Sequence, residues 1–282
     1  MAERTTVGEI RRVIHEAYPP QLAESWDAVG LVCGDPTDEV STVAFALDCT
    51  QEVADKAVEL GAQMLVVHHP LLLRGVTSVA ADTPKGKVIH TLIRNGVALL
   101  AAHTNADKAR PGVNDKLAEL VGITPGRPIV PVEPYENLDE ALGLGRVGEL
   151  EQPVTLREFT QRVADALPET EWGVRAAGDP ERMVKKVAVS SGSGDSFLDH
   201  AAALGVDVYV TSDLRHHPVD EHLRAAHLAE PEGPAVVDTA HWASEFPWTA
   251  QARDIVEDAL RVNTEIIDVR TDPWTISAHK EN

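Results

Sequence analysis

The sequence predicts an α/β fold in which a βαβ-type unit occurs twice and forms two similar three-layer lobes. In the first half of the chain, short apolar runs alternate with amphipathic helical segments, a pattern typical of parallel βαβ units. A similar succession of landmarks recurs in the second half, which indicates a duplication.

The composition limits the classes of protein to be considered. The chain has 282 residues, 43% of them hydrophobic, enough for one large domain or two of ordinary size. It shows no apolar run of about 18 residues and no signal-peptide core, so we expect no membrane contact. Cys33 and Cys49 form no CxxC motif, which fits the cytoplasm. The formal net charge of −20 argues against binding to nucleic-acid backbones, which needs clustered lysine and arginine.

The first half begins with a well-marked helix. Thr6 is placed to cap it, Glu9 completes a capping box, and Pro19 ends it. After a loop that contains Trp26, the pattern predicts alternating strands and helices. They cover residues 42–48 (strand), 51–60 (helix), 64–67 (strand), 86–95 (helix) and 97–103 (strand).

The second half repeats this order. A helix that begins near Thr155 again carries a glutamate three residues later, as the first helix does. The best alignment sets the strand at Val43 against one at Val187, and residues 64–67 against 208–211. In this register Ser212 and Asp213 take the places of His68 and His69.

A passage rich in proline and glycine, residues 123–134, is the predicted boundary. It gives a first lobe of residues 1–126 and a second of residues 127–282. A helix at 251–260, a strand at 264–269 and a short run at 274–277 end the chain. The sequence leaves open on which lobe the C-terminal helix and strand pack.

Histidines and carboxylates follow three of the apolar strands. These are His68 with His69, His103 with Asp107, and His241 with Glu245. Strand ends of an α/β protein meet in one crevice, and imidazole with carboxylate suits divalent zinc, iron, manganese or nickel. His241 and Glu245 are four residues apart, so one helical turn places both on one face.

The number of candidate ligands favours two metal ions. His68, His69, Asp107, His241 and Glu245 are too many for one catalytic ion that keeps an open position, but suit two ions and a bridging carboxylate. Adjacent side chains of a strand point to opposite faces. We therefore expect each histidine of the pair to face its own ion where the strand breaks at Pro70.

These motifs resemble the GTP cyclohydrolase I type 2 homologues, also called Nif-three-like dinuclear metal-centre proteins. The resemblance rests on the sequences at residues 68–71, 103–109, 112–115 and 241–245, and on further landmarks at residues 26–31, 145–148 and 209–213. It covers nearly the whole chain and implies a ring-shaped homohexamer with a dinuclear site between the two lobes of each subunit.

The resemblance also implies a role for each residue of the site. One ion takes His68 and His241, the other takes His69 and Asp107, and Glu245 bridges them and takes part in catalysis. His103 then holds a ligand or a water in place, or it caps the following turn. Three further residues line the cavity in this interpretation: Asp213, His217 and Trp242. His217 stands near the family's Tyr-His position, and a surface location is equally compatible with the sequence.

Two functions remain open at this stage. The first is a metal-dependent hydrolase, cyclohydrolase-like by resemblance, that acts on a small nucleotide-like substrate, a phosphoester or a cyclic amide. The second is a non-catalytic scaffold or a metal-handling and regulatory interaction protein. Trp242 next to a metal motif suits base stacking or core packing, and the glycine turn Gly192–Gly194 suits a phosphate or tight backbone packing.

Overall fold

The computed structural model describes residues 4–229 and 232–278, and these divide into two compact units. Unit 1 comprises Met1–Gly112 and Trp248–Thr271, and unit 2 comprises Val113–Pro247 and Asp272–Asn282. The division falls earlier than the predicted boundary at residue 126, because the helix that starts at Val113 packs on strands of unit 2. The C-terminal helix and strand belong to unit 1.

The helices and strands alternate along most of the chain. The helices are α1 (Val7–Ala17), α2 (Gln51–Glu59), α3 (Pro84–Arg94), α4 (Thr104–Lys108), α5 (Val113–Leu120), α6 (Leu156–Ala166), α7 (Leu198–Ala203), α8 (His216–Leu228), α9 (His241–Glu245) and α10 (Trp248–Ala259). The strands are β1 (Gly30–Cys33), β2 (Thr42–Ala46), β3 (Met64–Val67), β4 (Ala98–Ala101), β5 (Val130–Pro131), β6 (Gly143–Leu144), β7 (Arg146–Thr155), β8 (Val174–Ala177), β9 (Met183–Ser193), β10 (Val208–Ser212), β11 (Ala235–Thr239) and β12 (Asn263–Ile266). Among the described residues, no helix combines the length and the apolar character that crossing a bilayer requires.

Unit 1 is built on a five-stranded sheet in the order β1-β4-β3-β2-β12. Four strands run parallel, and β1 at the edge runs antiparallel to β4. The inner strands are buried on both faces: Leu65 and Val67 pack in one core with α2 and α3. On the other side α10 packs on β2 and α1 packs on α10, so the sheet is the middle of three layers.

Unit 2 contains a five-stranded sheet in the order β7-β9-β10-β11-β8, and β5 pairs with β6 in a separate ribbon. The three inner strands are parallel and both edge strands are antiparallel. Tyr209 and Ala188 on this sheet share a core with Leu198 and Ala201 of α7. The helix α6 packs on β7, β8 and β9.

The two units repeat one topology, which confirms the predicted duplication. The succession α1-β1-β2-α2-β3-α3-β4 corresponds to α6-β8-β9-α7-β10-α8-β11, with an antiparallel strand beside the third parallel strand in each unit. Val43 pairs with Met64, and Val187 pairs with Val208, which is the predicted register. The units differ at the opposite edge, where unit 1 has the parallel β12 and unit 2 has the antiparallel β7.

Side-chain caps mark the starts of four helices, α1, α2, α3 and α6, and strand ends differ from the prediction. Thr6 and Thr155 each accept a hydrogen bond in a complete capping box at the start of α1 and α6. The strands β2 and β4 are shorter than predicted: β2 ends at Ala46, before Asp48, and β4 ends at Ala101, before His103. Residues 274–277 form no strand.

One of the landmark motifs has an architectural role. The side chain of Arg146, which is fully buried, donates to both carboxylate oxygens of Asp115 at 2.7 and 2.8 Å. It also donates to the carbonyls of Gly143 and Gly145, each at 2.7 Å. A paired charge of this kind ties α5 to β7 within unit 2, and the loss of one partner leaves the other charge buried.

Arg146→Met should therefore destabilise unit 2 strongly. Removal of one partner of a buried ion pair costs about 3–5 kcal/mol in the free energy of unfolding. Urea denaturation monitored by tryptophan fluorescence measures the loss. The control is Arg157→Met, which breaks the exposed pair with Glu181 and should change stability by less than about 1 kcal/mol. Equal losses for the two variants would contradict the structural role of Arg146.

Candidate metal centre

Unit 1 gathers three histidines at the carboxyl ends of neighbouring strands. His68 and His69 follow β3, and His103 follows β4. One ring nitrogen from each of the three lies within 4.8 Å of the others, a spacing that allows them to hold a metal ion. The rings of His68 and His69 are 5.0 Å apart, and that of His103 is 5.1 Å from His68.

The two adjacent histidines lie together because the strand ends before them. The backbone amides of His68 and His69 both donate to the carbonyl of Leu47, at 3.1 and 3.0 Å. In a regular strand, alternate side chains would point to opposite faces of the sheet. The shared acceptor interrupts that alternation at the end of β3, earlier than Pro70, where we expected the break.

His68 is the innermost of the three. It is fully buried, and its Nδ1 atom lies 2.8 Å from the carbonyl oxygen of Ala102. Its Nε2 atom is 3.6 Å from Oδ1 of Asp107, which α4 presents one turn after His103. The indole of Trp248 lies 5.3 Å from the His68 ring, measured between centroids. An imidazole and a carboxylate of the predicted set are thus adjacent within unit 1.

His69 is held by a carboxylate that follows β2, the strand next to β3 in the sheet. Its Nδ1 atom is 2.7 Å from Oδ1 of Asp48, two residues after the end of β2. The second oxygen of Asp48 accepts a hydrogen bond from the hydroxyl of Thr271, the last residue of unit 1. The orientation of His69 therefore depends on two segments distant in sequence.

His103 is held in the same way by Asp27. Its Nδ1 atom lies 2.9 Å from Oδ1 of Asp27, whose other oxygen accepts from the amide and hydroxyl of Thr104. Burial of Asp27 acts to raise its pKa, but the hydrogen bonds with His103 and Thr104 outweigh it and hold the pKa well below its usual range. Asp27 is therefore an anion that fixes the imidazole of His103.

Unit 2 contributes a histidine and a carboxylate on one short helix. In α9 the Nε2 atom of His241 is 3.1 Å from Oε2 of the buried Glu245, one turn later. The Nδ1 atom of His241 is 2.8 Å from Oδ2 of Asp213. Asp213 adopts a left-handed backbone conformation with φ of 59°, which aspartate tolerates better than most residues.

The electrostatics of His241 follow from this position between two carboxylates. The charge of Glu245 raises the pKa of His241 most, and Asp213 adds to it, while burial acts in the opposite direction. The net result is a pKa of about 11. A strong negative potential therefore surrounds this ring, and it would favour a bound cation as well as a proton.

A glycine and a buried hydroxyl network support Glu245. Gly192 has φ of +61°, and a Cβ there would collide with Oε1 of Glu245 and lie 3.1 Å from Nε2 of His241. The amide of Gly192 donates to the hydroxyl of Ser244, which donates to the carbonyl of His241. That amide is engaged within the protein, so the glycine turn serves close packing against α9.

The four histidines share one feature that fits a metal centre. In each, Nδ1 faces an acceptor: the carbonyl of Ala102 for His68, and the carboxylates of Asp48, Asp27 and Asp213 for the other three. An Nδ1–H that donates to such an acceptor leaves the Nε2 lone pair as the ligand atom. Metal-binding histidines in proteins are typically oriented in this way. The donor set of imidazole and carboxylate suits divalent zinc, iron, manganese or nickel.

The sequence analysis assigned no role to Asp27 or Asp48. Both carboxylates follow or precede strands at the same sheet edge as the histidines, and this was the available signal. Asp213 holds His241 directly. Trp242 is buried and stacks on Phe246 with ring centroids 4.5 Å apart. His217 lies in the exposed first turn of α8, with its ring 5.0 Å from that of His216.

Comparison with known proteins gives consistent matches along the chain. The family model described as Duf34/NIF3 (NGG1p interacting factor 3) matches residues 5–273. A Streptomyces coelicolor protein named GTP cyclohydrolase 1 type 2 homolog is 50% identical over 277 residues, which cover 95% of this chain and 93% of that protein. The resemblance seen in the sequence motifs is thereby confirmed.

Solved structures of similar chains show the same fold. The crystal structure of a Bacillus cereus protein related to NIF3 has a TM-score of 0.86 at 26% identity, covering 98% of this chain and 100% of that one. A Staphylococcus aureus hypothetical protein has a TM-score of 0.85 at 28% identity, with the same coverage of 98% and 100%.

Removal of the carboxylates that orient the histidines should weaken metal binding. We expect Asp48→Ala and Asp213→Ala to lower the affinity for Zn²⁺ by roughly 10- to 100-fold, as loss of such partners does elsewhere. Competition with a chromophoric chelator measures the affinity. Asp55→Ala, which removes an exposed carboxylate from α2, is the matched control and should bind like the wild type. An unchanged affinity in both test variants would refute the orienting role.

Gly192→Ala should impair the same site by steric collision. Gly205 is the matched control, since it has the same φ of +61° and nothing within 4 Å of an added Cβ. Gly205→Ala should lower the free energy of unfolding by only about 1–2 kcal/mol, the cost of an alanine in the left-handed conformation. It should keep its metal content. Gly192→Ala should lose more stability and also bind less metal. Elemental analysis and thermal unfolding distinguish the two variants; identical behaviour would contradict the close approach to Glu245.

Proposed function

The chain belongs to the Duf34/NIF3 family, and from that premise we propose that it is a dinuclear divalent-metal protein that catalyses a hydrolysis. The observation that carries the proposal is the common orientation of His68, His69 and His241, whose Nδ1 atoms each face an acceptor of the protein. Such orientation requires a specific partner for each ring, and a ligand role for Nε2 explains why all three have one.

We assign five ligands to two ions. His68 and His241 would hold one ion, His69 and Asp107 would hold the other, and Glu245 would be a ligand shared by both. The ligand chemistry within each unit supports this assignment. Unit 1 offers His68, His69 and Asp107, and unit 2 offers His241 and Glu245, so each unit presents both imidazole and carboxylate.

In the proposed reaction, the ions and the side chains would supply different parts of the chemistry. Two bound divalent ions would supply Lewis acidity and lower the pKa of a water molecule toward neutrality. Asp27 holds the Nδ1 proton of His103, so Nε2 of that ring is the atom that accepts a proton or returns it to a leaving group. Glu245 lies close against Gly192, and this close packing would hold its carboxylate in place as a metal ligand.

The substrate proposed here is a small nucleotide-like molecule. The support is the name GTP cyclohydrolase 1 type 2 homolog, which curated relatives at 50% and 37% identity carry. We further propose, on the family resemblance, that the subunits form a ring-shaped homohexamer. We also propose a cytoplasmic location, which the two free cysteines, Cys33 and Cys49, support.

A second candidate function is a metal-handling or regulatory interaction protein without turnover. The family description, which contains the words NGG1p interacting factor 3, favours it. The net charge of −20 suits a soluble interaction partner. Metal-dependent turnover discriminates the two, because a scaffold binds metal without consuming a substrate.

The test combines metal content with turnover. Protein purified without chelator should hold about two divalent ions per chain, as the ligand count requires. His69→Ala and Glu245→Ala should hold fewer, while the exposed His227→Ala should match the wild type. The metal-loaded protein is then screened against nucleotides, phosphoesters and cyclic amides, with Glu245→Ala expected to be inactive. Two ions without turnover on any class would favour the scaffold, and an ion content unaffected by the ligand variants would refute the metal centre.

A further inference from the structure

Trp26 is an exposed indole beside the metal-ligand cluster of unit 1. Trp26 is 59% exposed, whereas a large aromatic side chain stabilises the fold when it is buried. Its ring centroid lies 6.1 Å from that of His103, and the two planes are nearly perpendicular, at 77°. Folding of unit 1 does not explain why this indole stays in solvent at this position.

The turn that carries Trp26 is fixed on both sides of the indole. On one side, the amide of Glu24 donates to the hydroxyl of Thr104 at 2.9 Å, and its carboxylate lies 2.8 Å from Nζ of Lys108. On the other side, Asp27 donates its amide to the carbonyl of Glu24 and accepts from Thr104. Thr104 and Lys108, which hold the turn on its two sides, both belong to α4, the helix that also carries Asp107. The backbone turn that presents the exposed ring is therefore fixed before any ligand arrives.

Each of the other four tryptophans lies next to another large aromatic side chain. Trp242 stacks on Phe246, and Trp248 is buried with Tyr18 5.8 Å away, measured between ring centroids. Trp172 and Trp274 lie 5.7 Å apart in unit 2. Of the five tryptophans, Trp26 is the one that combines an exposed face with a position next to a candidate ligand or proton-transfer residue. The sequence analysis had considered Trp242 for base stacking, and its burial against Phe246 favours the packing role instead.

We propose that Trp26 is the stacking platform of the substrate site and that it takes a planar heteroaromatic ring. This inference rests on the proposed function, because it assigns the substrate class of that same site. Aromatic faces prefer offset-stacked planar partners, and every nucleobase offers such a face. A ring stacked on the indole is held beside His103, whose Nδ1 is fixed by Asp27, so its reacting atoms meet the proton-transfer residue.

A fixed platform also has a physical advantage over a mobile one. A ligand that stacks on an indole whose turn is already fixed by hydrogen bonds and an ion pair loses less binding free energy to ordering of the protein. Glu24, Asp27, Thr104 and Lys108 thus act on binding through Trp26. They are positioning residues, and none of these four side chains touches the ring of the substrate.

The experiment compares two probes that differ only in the base. Zn²⁺-loaded protein is titrated calorimetrically with guanosine monophosphate and with ribose 5-phosphate. Wild type should bind the nucleotide more tightly than the sugar phosphate. Trp26→Ala should weaken nucleotide binding roughly 10-fold or more, which is the usual effect of losing one base-stacking contact. It should leave the affinity for ribose 5-phosphate unchanged. Trp26→Phe should restore most of the nucleotide affinity that Trp26→Ala loses.

Controls separate this inference from its alternatives. Trp274→Ala removes another exposed indole, 56% exposed and in unit 2, and should bind like the wild type. The proposal is overturned if wild type binds both probes equally, if Trp26→Ala keeps wild-type affinity, or if it weakens both probes alike. A change in solution mass in Trp26→Ala would also overturn it, because Trp26 would then cover a contact between copies of the chain. The metal content of each sample, measured first, tests the proposed metal centre separately.

Discussion

The functional site depends on one recurring interaction, in which a ring nitrogen of a histidine at a strand end is held by an acceptor of the protein. For His68 the acceptor is the backbone carbonyl of Ala102, and for His69, His103 and His241 it is an aspartate. An imidazole on a strand end would otherwise sample several rotamers, and ordering it on metal binding would cost free energy. The acceptors make that ordering part of the fold.

The parallel sheet supplies the places at which this interaction occurs. Polar residues leave the packed strands at the carboxyl edge, where the sheet meets solvent. In unit 1 the aspartate comes from the end of β2 and acts on the end of β3. In unit 2 it comes from the end of β10 and acts on the end of β11. The same aspartate–histidine contact therefore occurs at two different strand pairs of the duplicated unit. One topology in this way presents two different sets of candidate ligands.

The sequence predicted the parallel cores, the duplication and the chemical type of the site, because each leaves a local pattern. Runs such as Met64–Val67 are buried on both faces, and the capping boxes at Thr6 and Thr155 mark helix starts. The sequence did not predict the partners of the histidines, because Asp27 and His103 are separated by 76 positions and Asp48 and His69 by 21. The two compact units divide at residue 112, before the predicted boundary at residue 126, because α5 follows the first unit in sequence but packs on strands of the second. The shared Leu47 carbonyl, which places His68 and His69 together, also has no sequence signature.

The central claim is that the fold selects Nε2 of these histidines as the metal-binding atom. A crystal structure of the Zn²⁺-loaded protein, with an anomalous difference map at the zinc edge, tests it directly. We expect zinc at about 2.0–2.1 Å from Nε2 of His68, His69 and His241, with each Nδ1 still bonded to Ala102, Asp48 or Asp213. Zinc bound through Nδ1 of these rings, or anomalous density away from them, would contradict it.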